Sequence, residues 1–431
     1  MDTRSKNVFT NNNFRLVFFG ALVSALGALL YSFAVSFYIL EITDNNAFLQ
    51  GLYLALSGVS MLIFTPIGGV LGDRFNKAKI MYICDYLKGG VIILATILML
   101  IFPKATAHVI ILYVLGIISN AISGVFNPAS GSLFPHIVDE SKLQQANSYF
   151  SVKNALEGIL GIVLAGVLYA TMPIHILFFF VGACFVASGF SEMFIRYDHK
   201  PSAEHLTLKV ALSDVKEGLI YLKNRKAILV MMCAILFINF FFAPISGNFL
   251  PYFVKTDVAN APSYLFDSVL KPELWSSVFT VCFGISSLSG ALILSVRPQA
   301  DKVGRKSAVR FCMMAVLVIA MTIVYHIFVE RGVWLNGFLL ALCIGCLLIG
   351  FLIANVSIPI NTALMRIVDK DKLSKITSIT SIGTQGMVPI ASVLAGLILK
   401  TLGSTFLLAF CSLGFTTTAV LLLFNKHTKE V

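Results

Sequence analysis

The chain has 431 residues, 58% of them hydrophobic and only 12% charged, with a mean hydropathy of +0.88. A soluble domain needs more surface charge than that, so a membrane protein is expected. The net charge of +11 is spread over short loops between apolar runs, which fits contact with anionic headgroups and excludes a basic face for nucleic acid.

Runs of about twenty apolar residues, the length that crosses ~30 Å of hydrocarbon, fall in chain order at 15–40, 48–70, 80–102, 107–130, 147–170 and 175–195. Six more follow at 227–253, 274–296, 308–329, 334–359, 377–400 and 405–425. The first, from Leu16 to Leu40, is too long for a signal-peptide core and has many successors, so it reads as a permanent span. The expected organisation is a six-helix bundle over 1–195, a linker over 196–226 and a second six-helix bundle over 227–431. Of the 32 basic residues, only Lys104, Lys255, Lys271, Arg331 and Lys400 fall in loops on one side, and Lys88 and Lys153 fall within spans. The excess on the other side marks the cytoplasm and puts both termini there.

Between the second and third spans lies "GGVLGDRFNKAKIM", Gly68 to Met81, a charged cluster in an apolar chain. An echo, "ADKVGRKSAV" from Ala300 to Val309, sits between the eighth and ninth. Asp73 can accept hydrogen bonds from Arg74 or Lys77 and face the positive end of a neighbouring helix, each contact worth ~0.3–1 kcal/mol. Such a network reads as a breakable inner latch, with topology signalling as the plainer alternative. The third span carries Asp85 and Lys88 three residues apart, and the fifth Lys153 and Glu157 four apart, on one helix face each. A charge in hydrocarbon costs about 2.5–3.5 kcal/mol, so both pairs are expected to neutralise themselves or to have a function. Asp85 reads as joined to the latch, Glu157 as either a protonatable coupling site or the partner of Lys153, and Glu192 as interfacial.

In the linker, Leu208, Leu212, Val215, Leu219 and Leu222 share one face and Lys209, Lys216 and Lys223 another. This is the pattern of an amphipathic helix on the inner membrane surface, or of a solvated linker. The eight cysteines all lie in apolar segments, so no disulfide framework is implied, and the CxxC spacing of Cys343 and Cys346 inside "FLLALCIGCLLIGFLIA" reads as helix packing. No Gly-Lys dipeptide occurs, the seven histidines lack metal-ligand spacing and there is no G-x-S-x-G elbow. Neither an enzyme, a cofactor nor a bound metal is expected.

The segment "IVDESKLQQANSYFSVKNALEGILGIVLAG" (Ile137–Gly166) aligns with "IVDKDKLSKITSITSIGTQGMVPIASVLAG" (Ile367–Gly396), sharing IVD, KL and LAG. Two duplicated six-helix halves in parallel follow, a transporter design in which one half rocks against the other.

The cluster Gly69, Leu71, Gly72, Asp73, Arg74, Asn76, Lys77 and Lys79 is similar to the G-x-L-[AG]-D-R-x-G-R-[KR] motif of major facilitator superfamily transporters, with Asn76 where glycine is usual. Its echo supplies Asp301, Lys302, Gly304, Arg305 and Lys306. The resemblance covers nearly the whole chain. Within the superfamily, "FYILEITDNNAFLQGL", "NPASGSLFPHIVDESKLQQANSY" and "VKEGLIYLKNRKAIL" resemble the macrolide-efflux type of bacterial drug exporters. That resemblance implies an all-α membrane protein of the major facilitator fold, with twelve transmembrane helices in two pseudo-symmetric six-helix bundles. It also implies export of amphipathic or lipophilic organic compounds from a bacterial cell by proton antiport and alternating access, as a monomer. It makes Glu41 a gate or proton-entry candidate beside Glu157 and Asp85, and puts the eleventh helix, from near Ser378, opposite Asp73. Two departures stand out: Ser119 and Asn120 occupy the fourth span where drug antiporters often carry arginine, and Gly158, Gly161 and Gly166 occur in the fifth without the usual proline.

A cavity for such cargo needs aromatic faces and a few polar anchors. The seventh span, "LFINFFFAPISGNFLPYF", offers Phe237, Asn239, Phe240, Phe241, Asn248 and Phe249, with Pro244 and Pro251 allowing a bend. The first offers Tyr31, Phe33, Phe37 and Tyr38, and Asn127, Asn355 and Gln385 are the neutral polar positions. Any of these aromatics can instead face lipid. The alternatives are a lysophospholipid flippase, an exporter of a self-made siderophore or peptide, and, from another class, a transport-dead receptor or scaffold.

Overall fold

The computed structural model describes residues 8–138, 146, 149–150, 153–154, 156–196, 225–296, 303–367 and 370–425. The amphipathic linker and Asp301 lie outside these residues, and so do the side chains of Asp73 and Gln385.

Hydrocarbon offers the backbone no hydrogen-bond partners, so each apolar run must bond to itself as a helix. The first half holds α1 (Asn12–Ile42), α2 (Ala47–Arg74), α3 (Lys77–Ile101), α4 (Ala105–Ile137), α5 (Ile162–Thr171, entered through a wide turn at Glu157–Gly161) and α6 (Ile174–Met193). The second holds α7 (Lys226–Ala243, continuing to Val258), α8 (Pro272–Val296), α9 (Val303–Tyr325, continuing to Glu330), α10 (Leu335–Ile367), α11 (Lys370–Thr401) and α12 (Ser404–Phe424). Ten described helices are long and apolar enough to cross a membrane, and α5 and the Gly386–Thr401 part of α11 are shorter apolar helices. No strand occurs among the described residues.

Local chemistry sets the ends and bends. Asn76, the residue that departs from the glycine of the motif, is extended (φ −61°, ψ 115°), and its side chain accepts from the Lys79 amide at 3.2 Å, capping α3. The reversal between α11 and α12 turns on Gly403 at φ +87°, a conformation that suits glycine. In α7, Pro244 has no amide proton, so the regular ladder cannot continue through it. The helix widens there to a π turn over Pro244–Phe249, and a second π turn follows at Val254–Val258. In α10, Pro359 likewise leaves the carbonyl of Asn355, one turn earlier, without a helical donor. The Arg310 guanidinium of α9 donates to that oxygen instead. Arg310→Leu is expected to cost about 1–3 kcal/mol by orphaning the carbonyl, read as a lower unfolding midpoint in detergent.

The chain groups into two compact units, one drawn from Met1–Tyr38 and Leu56–Ala211, the other from Ile39–Ala55 and Leu212–Val431. In the first, α3 packs along α4 and α6, and Phe14, Val17, Met81, Ala129 and Leu133 are among its core residues. In the second, α8 packs along α10, α9 along α12 and α10, and α7 along α11 and α12, around Ile238, Phe241, Phe311, Met314, Val356 and Phe415. Apolar side chains such as Leu292, Val316, Leu413 and Phe424 stay exposed, as lipid-facing positions do.

Candidate functional site

The end of α1 is held by a tight turn in which Asp44 and Asn45 adopt positive φ (51° and 59°), a conformation these two residue types tolerate. The turn places Glu41 and the first turns of α2 within the second unit, beside α7, α8 and α11. Glu41 Oε2 lies 3.1 Å from Lys255 Nζ, and Lys255 lies 3.3 Å from Glu273 Oε1. Lys255 belongs to the second π turn of α7, and Glu273 to the first turn of α8, where the helix dipole favours a carboxylate. The Glu41 side chain is 54% exposed, so its contact is screened by solvent and contributes ~0–1 kcal/mol. The Lys255–Glu273 contact, at 13% and 16% exposure, is the firmer one.

Next to this ion cluster two helices touch backbone to backbone. A Cβ on Gly51 of α2 would meet the Ser392 carbonyl of α11 inside the 3.0 Å limit, and one on Gly396 would lie 2.5 Å from the Ala47 carbonyl. The buried Gln50 amide donates to Gly247 O at 3.4 Å, the Asn248 amide to Ser392 O at 3.4 Å, and the Lys400 ammonium sits 5.8 Å from the Phe48 ring centre. The tips of α1 and α2 are thus clasped to α7, α8 and α11 by small residues, amides and screened charges.

The charges within the spans fall into two groups. Lys153 and Glu157 pair at 2.7 Å, both buried, at the start of the wide turn that enters α5. Asp85 and Lys88 do not pair with each other, contrary to expectation. Lys88 reaches across to donate to Ser123 Oγ of α4 at 2.8 Å and lies 4.5 Å over the Phe185 ring of α6. Glu192 is fully buried (0% exposed), not interfacial, because its helix turn faces Gly20 of α1, whose added Cβ would lie 3.3 Å from its Cγ. Both of its carboxyl oxygens and Asp85 Oδ2 are buried without a hydrogen-bond partner.

The remaining candidates are dispersed. Arg74 ends α2 and is exposed, Lys77 opens α3 and is buried, and Gly304 is buried at the start of α9 beside exposed Arg305 and Lys306. Gly69 has open space around it. Tyr31 packs on Phe178, Phe37 between Phe33 and Tyr169, and Phe241 in the second core beside Phe410 and Phe415. Phe237 is exposed and stacks on Phe241, Asn239 donates to Ile235 of its own helix, Asn127 is exposed, and buried Asn355 donates to Phe351 O. Tyr38 Oη lies 2.7 Å from His108 Nδ1, whose Nε2 lies 2.9 Å from the Met99 carbonyl. A carbonyl only accepts, so the proton of that contact is carried by Nε2. Sequence reasoning missed Glu273, Gln50, Gly51 and Arg310. For Arg310 the signal was present as a cation at the edge of an apolar run, with Pro359 one turn beyond Asn355.

Twelve described helices, ten of them long and apolar enough to cross a membrane, are the architecture of a multi-pass membrane protein. Residues 17–392 match the family model of the Major Facilitator Superfamily, and the chain belongs to that superfamily. It is 22% identical over 352 residues to YkuC of Bacillus subtilis (strain 168), an uncharacterised MFS-type transporter, covering 79% of this chain and 76% of that protein. It is 26% identical over 249 residues to the protein described as "Putative bacilysin exporter BacE" of the same strain, covering 56% of this chain and 58% of BacE. A crystal structure of a mutant nucleoside transporter NupG superposes with a TM-score of 0.77 at 9% identity, covering 96% of this chain and all of that one, and shares its fold.

Proposed function

We propose that this transporter exports amphipathic or lipophilic organic compounds, as drug and macrolide exporters do, from the cytoplasm or inner leaflet of a bacterial cell by proton antiport and alternating access. The observation that carries the reading is the clasp of Lys255 with Glu41 and Glu273 next to the Gly51–Gly396 crossing. Its parts are separable: glycines that touch without interlocking side chains and a solvent-screened Lys255–Glu41 pair of ~0–1 kcal/mol, which a transport cycle can break and remake. With the termini in the cytoplasm the clasp is the outer gate. Gly69, Asp73, Arg74 and Lys77, and the echo Asp301, Gly304, Arg305 and Lys306, are the inner-latch candidates.

Glu157 and Glu41 remain coupling candidates, and Asp85 gains Glu192 as a companion, since their unpartnered buried oxygens are sites where a proton can be taken up and released. Tyr31, Phe37, Asn127, Phe237, Asn239, Phe241, Asn355 and Gln385 are the polar and aromatic positions offered to cargo. The designation of BacE favours one second reading, in which the cargo is a compound that the cell itself makes.

The test is a compound panel in an efflux-deficient host, with and without a protonophore, using the chain and two variants. Expression is expected to raise tolerance to at least one amphipathic compound in a protonophore-sensitive way. Lys255→Glu is expected to abolish the effect by setting three carboxylates together, and Lys255→Glu with Glu273→Lys to restore it in part. No tolerance to any panel member would sink the drug-export reading, and an active Lys255→Glu variant would sink the clasp.

A further inference from the structure

The second unit holds a partly open apolar cavity of about 210 Å³ that none of the gating or coupling residues lines. Its wall comes from α7, α8, α9, α10 and α12 and includes Phe242, Phe249, Phe279, Phe283, Met321 and Cys346. Phe242 and Phe283 stack, with ring centres 5.4 Å apart and planes 28° from parallel. Two hydroxyls reach the wall, and both are spent on their own helices: Ser246 donates to Phe242 O at 3.3 Å, and Thr280 to Ser276 O at 2.9 Å. Water needs roughly 2–4 polar partners to settle in a buried site, whereas an apolar cavity of ~150 Å³ stays dry and holds benzene. The π turn at Pro244–Phe249 forms one side of the space, because the backbone bulges where proline withholds its amide.

We infer that this cavity is a binding site for an apolar, ring-sized group, a phenyl or similar ring carried by the exported compound. The stacked Phe242–Phe283 pair, with Phe249 and Phe279, presents ring faces and edges that a further aromatic ring can pack against, and the volume is only modestly above the ~150 Å³ that holds benzene. An occupant contacts Phe242 and Phe249 on both sides of Pro244, so it favours the bulged form of α7 over a straight one. That the ring belongs to cargo rests on the export reading. That the site binds a ring does not.

Trp275 provides the readout, since it packs against Phe279 with ring centres 5.6 Å apart and is 3% exposed. Trp334 is the other of the two tryptophans and is replaced by phenylalanine in the test protein. Bromobenzene added to this purified full-length Trp334→Phe protein is expected to quench Trp275 fluorescence saturably, and at ten times its Kd to leave about one-tenth of the sites free. Gly345→Leu projects into the cavity beside the flexible end of Met321, 2.9 Å from the added Cβ, and is expected to remove the saturable component. Leu342→Phe is the second filling variant, should the first fail to fold. In the same filled variants, export of compounds bearing a phenyl ring is expected to fall about tenfold relative to ring-free compounds, equivalent to ~1.4 kcal/mol.

Quenching that is unsaturable, or unchanged in the filled variants, would overturn the site. Saturable quenching by 1-bromodecane but not bromobenzene would assign the cavity to a lipid chain and overturn the ring. Saturable bromobenzene binding with unaltered export selectivity would overturn the cargo assignment alone, and a protein that binds bromobenzene but exports nothing would separate this site from the export reading.

Discussion

Lys153→Met is expected to destabilise the protein by about 3–5 kcal/mol, because removal of one member of a buried ion pair leaves an uncompensated charge behind. Lys153 and Glu157 are 7% and 10% exposed and 2.7 Å apart, so water replaces little of what is lost. The double variant Lys153→Met, Glu157→Leu is expected to recover most of the loss, since an apolar pair of similar size avoids the desolvation cost of both charges. Thermal unfolding in detergent gives the comparison, and a double variant no more stable than Lys153→Met would contradict the pairing. Transport separates the two roles left open for Glu157. If it couples export to protons, Glu157→Gln, which keeps an amide oxygen for Lys153 to donate to, still exports but no longer responds to the pH gradient. If it serves only Lys153, the double variant still transports.

Gly51→Val is expected to abolish export while leaving the protein in the membrane. The added Cβ meets the α11 backbone at Ser392 and lies 3.2 Å from the Gly396 Cα, and backbone cannot step aside as a side chain can. Overpacking of this kind costs about 1–3 kcal/mol, comparable to the separable contacts of the clasp. The tip of α2 is therefore expected to stand off α11, and a cysteine placed at Gln50, which is fully buried, becomes reactive toward an aqueous thiol reagent. Export at the wild-type rate, with position 50 still protected, would exclude the glycine crossing as a moving part.

The spans were legible because hydrocarbon leaves the backbone one solution: the apolar runs bounding α1 to α3 and α8 mark their extents closely, while α4 and α10 run on to Ile137 and Ile367, past the ends of their apolar runs. The Lys153–Glu157 pair was legible too, since four residues on one helix fix the distance between side chains. The same argument failed for Asp85 and Lys88. Lys88 found a hydroxyl on α4 and a ring on α6, and neighbouring helices are invisible to a spacing rule. Asn76 looked like a defect in a motif until its side chain proved to cap α3.

By itself, the sequence determined that this chain crosses the membrane repeatedly and that Pro244 must break the ladder of α7, since these consequences depend on neighbours within a turn or two. Only the tertiary structure decided that Lys255 serves two carboxylates, that Gly51 meets Gly396, that Glu192 is buried, and that five helices leave an apolar space beside Phe242. Those outcomes depend on how far each helix is rotated about its axis and where it crosses the next. Both are set by packing between residues far apart in the chain, for which composition and periodicity carry no term.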